Sequence, residues 1–124
     1  MELNTSYFDK IGEKNLRKLI HDFYIGISSD EILRPMYPMN LAPAEDRLYL
    51  FMQQYLGGPR VYEEQRGHPQ LKKRHFPFKV DSDARDRWMK HMTKAMEQNE
   101  MPEDVRKFLQ AYFLDTATFL LNHA

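Results

Sequence analysis

The chain has 124 residues, a length typical of one domain, and its 18 Lys plus Arg balance 18 Asp plus Glu, so the formal net charge is zero. This balance gives no electrostatic argument for nucleic acid or an anionic membrane as a partner. The absence of cysteine excludes disulfides, thiolate metal sites, iron–sulfur clusters and cysteine-linked cofactors.

No apolar run approaches the ~20 residues of a membrane span, and Met1–Ser6 lacks the apolar core of a signal peptide. We therefore expect a single soluble, cytoplasmic domain over residues 1–124. Aromatic residues make up 13% of the chain, which also contains 8 Met. Such large or soft side chains suit either a small tight core or a pocket for a large apolar ligand.

Helical periodicity dominates the first half of the chain. A short helix is predicted near Tyr7–Ile11, a long one over 13–28 and a short one near Asp30–Met36. Gly26 lies inside the first long helix, where we expect either close passage of the second long helix or a local kink. The apolar stripe of that second long helix ends at a glycine pair followed by proline, and comprises Leu48, Phe51, Met52, Tyr55 and Leu56.

The second half of the chain predicts two further long helices. The third begins near Asp81-Ser82-Asp83, which are favourable capping and first-turn residues, and the fourth has Pro102 in its first turn. Between Pro59 and Val80 the pattern predicts a long irregular excursion with one or two helical turns around Pro69–Phe76. The predicted fold class is all-α, with four long helices and no convincing strand.

Histidines are the chemically most informative residues, because motifs for zinc proteases, phosphate-binding loops, dinucleotide binding and serine hydrolases are absent from the sequence. His21 and His91 read as partly exposed helix residues. His75 has Leu71 four residues before it and Phe78 three after it. A neutral imidazole there can bind a metal through one nitrogen while the other donates to a backbone carbonyl, but the spacing alone leaves a surface role open.

Five stretches together resemble the group II truncated haemoglobins, and the similarity extends from Tyr7 to Asn122. They are Phe23-Tyr24, Leu33–Pro38, Gln54–Pro59 with Tyr62, Arg66–Phe78 and Arg85–Trp88. The resemblance implies a shortened globin fold, a two-over-two helical sandwich around haem b.

The resemblance also implies roles for individual residues. His75 matches the proximal ligand of the haem iron, and the distal pocket is implied to contain Trp88, Tyr24, Tyr37, Leu48 and Ala44. Arg47 matches a residue that reaches a haem propionate, and Arg74 is a second candidate cation for the rim. Haem-packing positions are implied for Phe51, Met52, Tyr62, Leu71, Phe78 and Met92.

The expected function is reversible binding of dioxygen and other diatomic ligands. A pocket rich in hydrogen-bond donors favours slow oxygen release, which suits scavenging or redox chemistry better than bulk transport. The resemblance allows nitric oxide dioxygenase or peroxidase-like activity with an unidentified reductase, in a monomer or homodimer. The alternatives are a helical interaction module, in which the aromatic stripes are plain core, and a haem-based gas sensor.

Overall fold

The computed structural model describes residues 6–67, 70–75 and 78–122, and of Lys72 and Arg74 only the backbone. The described residues contain helices and no strand, as predicted. In chain order the elements are α1 (Tyr7–Ile11), α2 (Glu13–Ser28), a 3₁₀ turn (Arg34–Met36), α3 (Ala42–Tyr55), α4 (Val61–Arg66), α5 (Leu71–His75), α6 (Ser82–Glu97) and α7 (Glu103–Phe119). None of the helices described is long and apolar enough to cross a membrane.

Side-chain caps mark the starts of α1 and α6. The hydroxyl of Ser6 accepts a hydrogen bond from the backbone N–H of Asp9 at the start of α1. The carboxylate of Asp81 accepts one from the N–H of Ala84, at 2.8 Å, at the start of α6. Pro102 is the residue immediately before α7 rather than a member of its first turn.

The segment between Pro59 and Val80 is more ordered than the predicted irregular excursion. It contains α4, which the sequence did not indicate, as well as α5, which lies within the predicted helical turns. The backbone N–H of Glu63 in the first turn of α4 donates to the side-chain oxygen of Gln54 in α3, at 2.9 Å. This cap comes from another helix, so the local pattern of α4 could not reveal it.

The helices pack as neighbouring pairs around a common core. Helix α2 contacts both α3 and α6, α6 contacts α7, and α1 lies against α2 and α7. Most of the apolar side chains predicted to face the core do so, whereas Tyr55 of α3 is exposed. The largest fully buried side chains are Tyr49, Phe23, Leu16, Leu19, Ile20, Ile27, Met52, Met92, Met96, Leu109 and Val105.

Gly26 corrects one expectation about this packing. The close neighbour is a side chain of the third long helix, α6, and not the backbone of the second. A Cβ added at Gly26 would lie 2.5 Å from Nδ1 of His91, which is too close for any side chain to fit without displacing the imidazole. The glycine therefore leaves room for a histidine ring at the contact between α2 and α6.

Candidate functional site

A cavity of about 450 Å³ opens between α3, α5, α6, α7 and the segment that follows α2. Its volume lies within the ~300–1,000 Å³ usual for small-molecule and cofactor sites. Most of the lining is apolar or aromatic, with a few polar groups. The lining side chains are Tyr24, Leu33, Met36, Tyr37, Pro38, Ala44, Arg47, Leu48, Phe51, Met52, Tyr62, Leu71, His75, Phe78, Val80, Ala84, Arg85, Trp88, Tyr112, Phe113, Thr116, Ala117 and Leu120.

His75, the last residue of α5, contributes a half-buried imidazole to one wall of the cavity. Its Nδ1 lies 2.7 Å from the backbone carbonyl oxygen of Leu71. Because a carbonyl oxygen only accepts hydrogen bonds, Nδ1 is the donor, and in the neutral form of the imidazole Nε2 then keeps its lone pair. This hydrogen bond from one ring nitrogen to a backbone carbonyl is the one expected from the sequence.

The backbone that carries His75 is tied to the C-terminal end of the described chain. The side-chain amide of Asn122 donates to the carbonyl oxygens of His75, at 3.4 Å, and Phe78, at 2.9 Å. Its side-chain oxygen accepts from the N–H of Val80, and its own N–H donates to the carbonyl of Val80. These bonds restrain the end of α5 that carries His75, an arrangement that sequence spacing did not predict.

Three polar aromatic side chains, Tyr24, Tyr37 and Trp88, line another part of the same cavity. The rings of Tyr24 and Tyr37 meet edge to face at 5.7 Å, and the Tyr24 hydroxyl donates to the carbonyl oxygen of Ala44 at 3.4 Å. Burial raises the pKa of Tyr37 to about 12, and the neighbouring Trp88 side chain opposes this rise in pKa. Burial likewise raises the pKa of Tyr24, so both hydroxyls keep their protons at neutral pH.

Aromatic packing on two sides sets the position of Trp88. The centroid of its ring system lies 4.8 Å from the ring centroid of Phe23 in α2 and 5.5 Å from that of Phe113 in α7. The indole therefore packs between α2 and α7 and also lines the cavity. Because an indole N–H donates and does not accept, this side chain supplies a single fixed donor.

Two arginines bring positive charge to the cavity. Arg47 on α3 is half-buried and lines it, as expected. Arg85 on α6 also lines it, with its Nε 3.0 Å from the Asp86 carboxylate. The sequence analysis gave Arg85 no role, although it lies within one of the informative stretches. The other predicted cation, Arg74, has a side chain outside the described part of the structure.

Most of the other predicted site residues converge on the same cavity. Its wall includes Ala44, Leu48, Phe51, Met52, Tyr62, Leu71 and Phe78. Met92 is the exception among those with described side chains, because it is fully buried in the core and does not line the cavity. It lies one turn beyond Trp88 on α6, a helix that packs against α2 and α7, and the structure places its side chain in the core between these helices.

The contribution of α7 was missed by the sequence analysis. Its apolar stripe was recognised but not connected with the site, and the structure places part of that stripe along the cavity. The available signal was the i, i+4, i+8 series formed by Tyr112, Thr116 and Leu120. Within the described ranges, no group of three or more His, Asp or Glu side chains can hold a metal ion.

Comparisons with known proteins point to one family. The model of the bacterial-like globins matches residues 6–122. Group 2 truncated hemoglobin YjbI of Bacillus subtilis is 35% identical over 115 residues, covering 93% of this chain and 87% of that protein. The thermostable hemoglobin of Thermobifida fusca is 41% identical, with a TM-score of 0.91 and coverage of 95% of this chain and 98% of that one.

A third relative is the truncated oxygen-avid haemoglobin of Bacillus subtilis, whose crystal structure aligns with a TM-score of 0.91. It is 34% identical, and the alignment covers 95% of this chain and all of that one. Agreement in sequence and fold thus extends over nearly the whole chain and includes every element around the cavity. The chain belongs to the bacterial-like globins, as a group II truncated haemoglobin with the two-over-two fold, and is accordingly a haem-iron protein that binds oxygen.

Proposed function

We propose that residues 1–124 form a single domain that holds haem b through His75 and retains dioxygen tightly with donors from Trp88, Tyr37 and Tyr24. The observation that carries the proposal is the Nδ1–carbonyl hydrogen bond of His75, which leaves Nε2 as a ligand in the cavity that the three donors also line. Haem of the b type is favoured because the sequence has no cysteine for covalent attachment.

The residues present fit such a cofactor. One neutral imidazole, a largely apolar cavity of about 450 Å³ and two arginines match a flat apolar macrocycle that carries two carboxylates. When bound, haem supplies an iron atom whose sixth coordination position is open to a diatomic ligand. Phe51, Met52 and Tyr62 offer the apolar contact area, while Arg47 and Arg85 offer cations for the propionates.

The distal side chains determine how long oxygen stays. Dioxygen gains partial negative charge when it binds to ferrous iron, so hydrogen-bond donors stabilise it and a buried site strengthens each bond. Ala44 has no side-chain donor, whereas the indole N–H of Trp88 and the two tyrosine hydroxyls do. Because Tyr24 already donates to the carbonyl of Ala44, we assign the main part to Trp88, with Tyr37 as its immediate partner.

Slow oxygen release suits scavenging or redox chemistry better than bulk transport. The relative described as oxygen-avid, which shares the fold over the whole of its chain, supports this part of the proposal. Oxidation of nitric oxide and reactions with peroxide are the redox candidates. Oxidation of nitric oxide requires a reductase to return the iron to the ferrous state, and reactions with peroxide require a reducing substrate.

The test is the absorption spectrum and haem retention of three purified variants. His75→Ala should abolish the axial-imidazole signature and speed transfer of haem to an acceptor protein. His21→Ala is the matched control, because His21 is an exposed α2 residue paired with Glu45 and does not line the cavity. His68→Ala is the third variant, and His68 lies outside the described residues. Loss of the signature in His68→Ala but not in His75→Ala would overturn the assignment.

A further inference from the structure

The carboxylate of Asp30, just after α2, is buried and its two oxygens have different partners. Oδ1 accepts hydrogen bonds from the backbone N–H groups of Ile32 and Leu33, each at 2.9 Å. The same oxygen lies 3.3 Å from a guanidinium nitrogen of Arg87, and Oδ2 lies 2.7 Å from Nε2 of His91. One carboxylate thereby ties its own segment to two side chains of α6.

These partners connect two parts of the distal pocket that are far apart in the chain. Arg87 and His91 lie on α6 immediately before and three residues after Trp88. On the other side, the segment that Asp30 caps continues into Leu33 and then Tyr37, both of which line the cavity. Arg34 holds the same segment together further along the chain, because its guanidinium donates to the carbonyl oxygens of residues 37, 38 and 39.

The imidazole of His91 is also held from the side of α2. Its Nδ1 would lie 2.5 Å from a Cβ at Gly26, so the ring packs directly over that glycine. Its side chain is only 17% exposed. The third charged neighbour of the cluster is Asp83, whose carboxylate lies 3.1 Å from Nε of Arg87. The ring is thus confined between α2 and the Asp30 carboxylate.

We propose that the Asp30 carboxylate, through His91 and Arg87, is the positioning group that sets the distance between the Trp88 indole and the Tyr37 hydroxyl in the distal pocket. The inference rests on the proposed function, because it concerns the donors to which oxygen retention is assigned above. Asp30, His91 and Arg87 do not line the cavity, so they act through the two donors and never on the ligand directly.

The physical reason lies in where the charge is held. A buried carboxylate with several directed hydrogen bonds is satisfied in one arrangement, and moving α6 or the segment 30–37 breaks at least one bond. Burial alone raises the pKa of Asp30, but the hydrogen bonds from Leu33, His91 and Ile32 and the charge of Arg87 bring it down to about 2. The group is therefore ionised throughout the neutral range.

Asp30→Asn is the most direct probe of the link to α6. The asparagine keeps a side-chain oxygen for the N–H groups of Ile32 and Leu33, but loses the charge that faces Arg87 and His91. Asp22→Asn is the matched control. Asp22 on α2 is likewise bonded to a residue at the C-terminal side of α6, because Asn99 donates to its carboxylate at 3.0 Å, and Asn99 lies eleven residues beyond Trp88 in the chain.

Gly26→Ala is an independent probe that removes no hydrogen-bonding group from the chain. The new Cβ forces the His91 ring to move. Trp88 is the only tryptophan in the chain, so ¹⁵N-labelled, carbon-monoxide-saturated protein gives one indole N–H resonance. This resonance is the principal readout, and the oxygen dissociation rate is the second.

We expect the indole resonance to shift in Asp30→Asn and Gly26→Ala, with oxygen release about 2- to 30-fold faster, and both to stay unchanged in Asp22→Asn. An unshifted resonance in folded Asp30→Asn and Gly26→Ala would overturn the inference, even if both variants lost stability. If Asp30→Asn does not fold, Gly26→Ala decides alone. If Trp88→Phe leaves the oxygen dissociation rate unchanged, but the Trp88 indole resonance shifts in Asp30→Asn and Gly26→Ala, the proposed function fails and the positioning role stands.

Discussion

Replacing Trp88 with phenylalanine tests the distal pocket most directly. The substitution keeps an aromatic ring between Phe23 and Phe113, whose rings lie 4.8 and 5.5 Å from the indole, and removes one N–H donor. Tyr37, whose pKa the Trp88 side chain lowers, also loses this neighbouring donor. The packing change is therefore small compared with the change in hydrogen bonding.

The magnitude follows from the value of a hydrogen bond to a charged acceptor. Such a bond contributes roughly 1.5–3 kcal/mol, and each 1.4 kcal/mol is about tenfold in a rate or equilibrium constant. Oxygen should therefore leave Trp88→Phe about 10 to 150 times faster than it leaves the wild type. Carbon monoxide carries less negative charge on its outer atom, so its release should change less.

Stopped-flow displacement of oxygen from Trp88→Phe, Tyr24→Phe and Tyr37→Phe is the assay. The tyrosine variants should show smaller, non-additive effects, because both tyrosines line the same cavity as Trp88 and their two rings are in contact. Tyr24 in particular already has an acceptor in the carbonyl of Ala44. A change below threefold in Trp88→Phe, with one above tenfold in Tyr24→Phe, would make the tyrosine the principal donor and Trp88 a wall of the pocket.

Three further predictions concern the rim, the core and the buried carboxylate. Arg47→Leu should speed haem transfer to an acceptor protein by a few-fold, because a partly exposed ion pair contributes about 1 kcal/mol or less. A large loss of oxygen affinity would instead place Arg47 among the distal donors. Met52→Ala and Met92→Ala should each lower the free energy of unfolding by about 2–5 kcal/mol in chemical denaturation, since both side chains are fully buried. Of the two, Met52→Ala alone should also speed haem transfer, because Met52 lines the cavity and Met92 does not. Equal transfer rates would contradict this difference in position. The pKa of Asp30 falls from 3.8 to about 2 on folding, so its contribution to the free energy of unfolding, on the order of 2 kcal/mol, should be complete above pH 5 and be lost as the pH drops toward 2. Chemical denaturation of wild type and Asp30→Asn at several pH values should show a stability difference that shrinks on acidification. A stability difference that grows would refute the sign of this effect.

Local sequence determined the long helices because their signals are local. Apolar spacing near 3.6 residues predicted α2, and an aspartate cap and a proline located the starts of α6 and α7. Helix α4 was not predicted, because its first turn is capped by Gln54 of another helix and this stabilising partner is nine residues away from Glu63. The motif resemblance indicated His75, and the structure supplied the Leu71 carbonyl that orients its ring.

Tertiary structure alone decided which inward-facing residues reach the cavity. Met52 and Met92 carry the same side chain at the same burial, and only the first lies on the wall, because the rotation of a helix about its axis depends on its neighbours. The bond between Asp30 and His91 joins residues 61 positions apart, and it required Gly26 to leave space for the ring. Periodicity specifies which face of a helix is buried, whereas packing specifies what that face is buried against.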